Sequence, residues 1–293
     1  MWKAVVPGLI ALVTVGLSLV SGEVIRRETE TKQLAALGST DAEPSRARPS
    51  ERPQGAGEAT RSGQLVALVI GNAAYPDAGV PLSQPVNAAR ALADELRQKG
   101  FDVEFGEDLA RPAMEQAIAS FKDKIKPGAT AFVFFSGFGV QAGRQTYLLP
   151  TSANVWSEDD VKRSGISLEP ILSAVDARGA ATKLVVLDAS RRNPYERRFR
   201  SAAAGLAAVQ APNETLMMYA AAPGQVAAND GEHSVLVSEL IAQMRAAPSA
   251  EQAFHQTRVA VSRATGREQI PWVSSSLTED VSLATKETTA SAQ

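Results

Sequence analysis

Leu65-Val66-Ala67-Leu68-Val69-Ile70 is an unbroken apolar run closed by Gly71-Asn72. A run this short, without alternation, suits a strand covered on both faces. Reading outward, Pro85 opens a helical pattern with Val86, Ala89, Leu92, Ala93 and Leu96 on one stripe, stopped at Gly100. Phe101-Asp102-Val103-Glu104-Phe105 alternates as a second strand, and Pro112 to Ile125 is a second helix with Met114, Ala117, Ile118 and Phe121 inward. Ala131 to Phe135 reads as a third buried strand and Lys183 to Leu187 as a fourth, after a helix near residues 168–175. Leu216 to Tyr219 is a fifth, followed by helices near residues 235–245 and 251–265. Strands alternating with helices predict an α/β three-layer sandwich, a mostly parallel sheet flanked by helices. In such folds chemistry gathers beyond the carboxyl ends of the strands, so the loops after Ile70, Phe135 and Leu187 carry the interest.

The flanks read differently. Ala4 to Gly22 gives 19 consecutive uncharged residues behind Lys3. As a helix the run covers ~28 Å, near the ~30 Å hydrocarbon thickness of a bilayer. Residues 1–25 are therefore expected to be an N-terminal hydrophobic helix. It is either a transmembrane anchor or a signal segment, with Val20-Ser21-Gly22 as a mediocre cleavage site. The anchored reading puts the soluble part on the periplasmic or extracytoplasmic side; the alternative is secretion after cleavage. Residues 26–63 hold no Val, Ile, Met, Phe, Trp or Tyr but include Pro44, Pro49 and Pro53, the composition of a disordered linker. The domain spans 64–283, and 284–293 is a polar tail.

Composition narrows the chemistry. The 293 residues contain no cysteine and two histidines, which removes disulfides, thiol nucleophiles and thiolate metal sites, and argues against a histidine-rich zinc site. Thirty basic against 32 acidic residues give a net charge of −2, which argues against nucleic acid as a partner. Gly71-Asn72-Ala73-Ala74-Tyr75 lacks the glycine spacing of a phosphate-cradling loop. No cofactor is expected and no metal site stands out, although a calcium site drawing on Asp102, Asp108, Asp159 and Asp160 stays open.

Two loops remain, Ser136-Gly137-Phe138-Gly139-Val140-Gln141 and Asp188-Ala189-Ser190-Arg191-Arg192-Asn193-Pro194-Tyr195. Here the chain resembles the caspase-like cysteine peptidases, particularly the bacterial relatives of metacaspases. Supporting matches are Ala67 to Asn72, Tyr75, Pro85-Val86-Asn87, Gly100-Phe101, Tyr147 to Pro150, Ala222-Pro223-Gly224 and Pro271-Trp272. In that family the first loop reads Ser-Gly-His-Gly, with the histidine as base, and the second Asp-Ala-Cys-Arg, with the cysteine as nucleophile. The resemblance thus assigns the base position to Phe138 and the nucleophile position to Ser190, and an oxyanion hole to the N–H groups of Gly139 and Ser190. Phenylalanine cannot move a proton, and an unassisted serine hydroxyl is a poor nucleophile. Losing a nucleophile or base costs about 10⁶ in kcat, roughly 8 kcal/mol of barrier. The implied protein is an inactive pseudopeptidase that binds a peptide or protein partner in its cleft, an active homologue included.

Rival readings stay open. Ser190 with His233, which lies in a segment resembling the family's substrate-pocket loop, would make a serine hydrolase. A third reading is a scaffold whose cleft Phe138 fills. Asp188 is read either as a vestigial acidic pocket for Arg or Lys, or as a carboxylate kept to accept backbone amides. His255 reads as a structural or surface residue within a helix. Arg191, Arg192, Arg197, Arg198 and Arg200 put five guanidinium groups within ten residues, read as a solvated loop or as a contact for an acidic partner or anionic lipid.

Overall fold

The structure, a computed structural model, describes residues 63–76, 82–195, 205–227 and 234–283. The hydrophobic run Ala4–Gly22, the linker up to residue 62, the tail, His233, Arg197, Arg198 and Arg200 lie outside the described residues. Among the described residues no helix is long and apolar enough to cross a membrane.

The opening run forms β1 (Leu65–Gly71), and Pro85 starts α1 (Pro85–Gln98), where a missing N–H costs no helical hydrogen bond. Its buried stripe is Pro85, Ala88, Ala89, Leu92, Ala93 and Leu96, so Val86 falls to the side of the face predicted for it. Gly100 ends the helix at φ +84°, with Phe101 N–H donating to the Leu96 carbonyl (3.0 Å) and Gly100 N–H to that of Arg97 (2.9 Å). That paired closure needs a left-handed residue, which glycine supplies without strain. The chain continues through β2 (Asp102–Glu107), α2 (Arg111–Lys124) and β3 (Thr130–Ser136). After three further small strands and a short helix come α4 (Leu168–Ala177), β7 (Thr182–Asp188), β8 (Thr215–Tyr219), α5 (Val235–Ala246), α6 (Ala250–Ala264) and β9 (Trp272–Ser275).

The main sheet has six strands in the order β2-β1-β3-β7-β8-β9, all parallel except the antiparallel edge strand β9. Period-two alternation divides its side chains between two cores. Ala67, Val69, Phe132, Phe134, Leu184 and Val186 face α1, α5 and α6. Val66, Leu68, Ile70, Val133, Phe135 and Val185 face α2 and α4. Both faces are apolar, which is why the strands read as continuous runs.

The five predicted strands and the helices between them are thus observed; the antiparallel edge strand β9 was not anticipated, and one region differs more substantially. Residues 139–141, read as part of a loop, belong to a hairpin of β4 (Gly139–Ala142) and β5 (Gln145–Leu148); α3 (Glu158–Ser164) and β6 (Ile166–Ser167) follow, β6 pairing with β5. These strands are only four, four and two residues long, too short for a periodicity to register. They enclose a third apolar cluster that includes Tyr75, Phe138, Val140, Tyr147, Leu149 and Tyr195.

Candidate functional site

β3 and β7 are hydrogen-bonded neighbours in parallel register, with Ser136 opposite Asp188. Phe138 and Ser190 each lie two residues past that matched pair. Sheet register therefore brings together two loops separated by about fifty positions in the chain. The Ser136 hydroxyl donates to the Asp188 carboxylate at 3.0 Å, and the Gly137 N–H reaches the Asp188 carbonyl at 3.4 Å. Gly139 opens β4 opposite Leu148, and a Cβ on it would stand 3.2 Å from that of Ala189 and 2.6 Å from Leu206 Cδ2. Close approach of the two loops thus depends on glycine at that position.

Phe138 does not stand free in a cleft. Its side chain is 5% exposed and packs on Tyr75, ring centroids 4.9 Å apart at 60°. The Tyr75 hydroxyl accepts from the Phe138 N–H (3.1 Å) and donates to the Leu149 carbonyl (2.9 Å). Gly137 makes room for it, since a Cβ there would lie 2.6 Å from the Tyr75 oxygen. Burial pushes the Tyr75 phenol well above its ordinary pKa, and its proton is already engaged. Tyr75 is consequently no substitute for a missing base.

Ser190 is 1% exposed, and its hydroxyl has no hydrogen-bond partner among the described residues. Its carbonyl accepts from the Ala227 N–H at 2.7 Å, which ties the nucleophile-position loop to the segment after β8. Asp188 is buried, and the partners of its carboxylate are the Ser136 hydroxyl and the Arg191 guanidinium (3.4 Å) rather than backbone amides. Arg191 is itself 4% exposed and also donates through Nε to the Gly137 carbonyl at 3.2 Å. The sequence reading that grouped Arg191 with a solvated basic loop is therefore corrected: it is an internal brace, while Arg192 beside it is exposed.

Two further residues of this edge have roles that the sequence did not indicate. Asn72 is fully buried, takes the Leu109 N–H on Oδ1 (2.9 Å) and donates from Nδ2 to the Leu149 carbonyl (3.2 Å). Asp108, at φ +49°, accepts from the N–H groups of Ala73 (2.7 Å) and Ala74 (2.8 Å). The amides after β1 that a phosphate would need are thereby engaged. Asp102 pairs with Lys124, and Asp160 bonds Ser157 and Arg163. Among the described residues no three potential metal ligands converge, so the four aspartates weighed as a calcium site do not form one. His255 lies exposed on α6.

The family model of the caspase domain matches residues 64–282. No curated protein matches the chain. With six central strands flanked by helices on both faces, and a family match over most of its length, the chain belongs to the caspase-domain peptidase family.

Proposed function

We propose that this caspase-fold domain is a pseudopeptidase that acts without cutting, as a scaffold that holds other proteins through its surface. The observation that carries the reading is the Ser190 hydroxyl, buried and without a hydrogen-bond partner among the described residues. An attacking serine needs a base in hydrogen-bond contact to take its proton and later protonate the leaving amine. The ring assigned to the base position is Phe138, which packs against Tyr75 and carries no proton to transfer.

Burial favours the scaffold over peptide capture in the cleft. A substrate's basic side chain would have to displace Arg191 from Asp188. A peptide would also have to enter where Leu206 packs close to Gly139 and where the Ala227 N–H holds the Ser190 carbonyl. The N-terminal hydrophobic segment, as an anchor, would hold the scaffold at an extracytoplasmic membrane face.

The test is hydrolysis of fluorogenic peptides ending in Arg, Lys or Asp by the full chain and by Ser190→Ala. The expected result is the same background rate for both. Hydrolysis by the natural chain that Ser190→Ala abolishes would overturn the reading and make His233 the next residue to remove. Peptide cleavage gained only by Phe138→His/Ser190→Cys would instead favour capture in a preserved cleft.

A further inference from the structure

Away from that edge, the outer face of α6 and the turn after it form an open groove of about 850 Å³, lined by His255, Arg258, Val259, Ser262, Arg263, Gly266, Arg267 and Ile270. The helical lining residues recur at three- and four-residue steps, so they share one stripe, opposite the Phe254, Thr257 and Val261 that α6 buries. The groove contains no carboxylate. Arg258, Arg263 and Arg267 are exposed, and none makes an ion pair with a described residue. Elsewhere Arg90 holds Glu107, Arg111 holds Glu115, Arg178 holds Asp123 and Arg245 holds Glu95, while Arg144 and Arg192, also exposed and without an ion pair to a described residue, stand apart from each other in the chain. In a chain of net charge −2, three unanswered guanidinium groups around one concavity are a segregated charge rather than a sample of the surface.

The backbone adds an independent observation. Arg267 sits at φ +71°, directly after Gly266 at +57°. A residue with a Cβ in the left-handed region costs about 1 kcal/mol or more that glycine would avoid. The turn is held there by Arg267 N–H to the Ser262 carbonyl (2.7 Å) and Gln269 N–H to Thr265 Oγ1 (3.1 Å). Gln269 Nε2 also donates to the Ala220 carbonyl at 3.2 Å, anchoring the turn to the end of β8. A braced turn thus presents a third arginine to the groove beside Ile270, which leaves 46% of its surface in water.

We infer that this groove is a docking site for an acidic, extended segment of a partner protein, with carboxylates on the three arginines and an apolar side chain over Val259 and Ile270. Charge complementarity selects an anion, and the concave shape with an apolar floor selects a peptide over a flat lipid surface. The inference does not depend on whether Ser190 cuts.

A fluorescein-labelled peptide, Asp-Glu-Leu-Glu-Asp, titrated with the full chain and followed by anisotropy, tests it. The natural chain and Ser190→Ala are expected to bind alike. Arg258→Gln/Arg263→Gln/Arg267→Gln should weaken binding about tenfold or more, and each single change less. Ile270→Ser should weaken it by about fivefold through lost apolar contact. Added salt should weaken binding to the natural chain, since the pairs are exposed. All four side chains are exposed, and an unchanged circular dichroism spectrum checks that the fold survives; the single variants carry the test should the triple one not fold. Absence of binding, or binding that survives the triple change, overturns the inference. So does arginine-dependent binding of inorganic phosphate or phosphatidylserine vesicles with none of the peptide.

Discussion

The edge beyond β3 and β7 and the outer face of α6 handle charge in opposite ways. At the edge the Asp188 carboxylate, the Arg191 guanidinium and the Ser136 hydroxyl turn inward and satisfy one another, with Phe138 sealed beside them. On α6 and the turn after it three guanidinium groups face water with no ion pair to a described residue. A buried charge must be paired, because desolvation costs several kcal/mol per ion; an exposed one can wait for a partner. The two loops that the family resemblance marks are buried, while the groove proposed as a docking site is formed by α6, which packs on the core cluster shared with α1 and α5.

The contrast can be broken first at Arg191. Arg191→Ala leaves Asp188 buried without its cation and should cost about 3–5 kcal/mol of unfolding free energy, read from urea denaturation. Arg263→Ala on α6 should stay within about 0.5 kcal/mol, as exposed substitutions do. Equal losses at the two sites would dissolve the distinction. Next comes Phe138→His, which restores the residue that the family resemblance implies. It places polar ring nitrogens in the cluster with Tyr75 and Tyr195 and should destabilise by about 1–3 kcal/mol. A neutral or stabilising change would mean that the position still opens to water. The smallest effect belongs to Ser190→Ala. Removing a buried hydroxyl that has no partner among the described residues should raise stability by about 1 kcal/mol. A clear loss of stability would reveal a hydrogen bond to that hydroxyl and reopen the nucleophile reading.

Legibility differed between the same two regions. Phe138, Ser190 and Asp188 stood out because a family resemblance marked their positions, and β3 and β7 were plain as apolar runs bounded by Gly and Asp. Arg191 was misplaced among solvated charges, since nothing local distinguishes an arginine that folds back on the carbonyl of Gly137 from its neighbour Arg192. Asn72 was marked only as part of a matching run and Asp108 only as a possible calcium ligand; their bracing roles were not legible because their partners, at Leu109, Leu149, Ala73 and Ala74, are backbone groups that any residue supplies. The α6 groove was invisible as well: His255 was noted singly, while Arg258, Arg263 and Arg267 become one feature only on a helical stripe closed by the turn.

The sequence by itself determined the layering, because continuous apolar strands must be covered on both faces and the helical stripes between them supply the cover. It also determined that a thiol–imidazole pair is impossible at positions 138 and 190, since side-chain identity fixes what protons can move there. Only the tertiary structure decided whether those positions open to solvent, which cation answers Asp188 and which cations are left unanswered. Those outcomes depend on distances between residues far apart in the chain, set by sheet register and by the packing of loops against it.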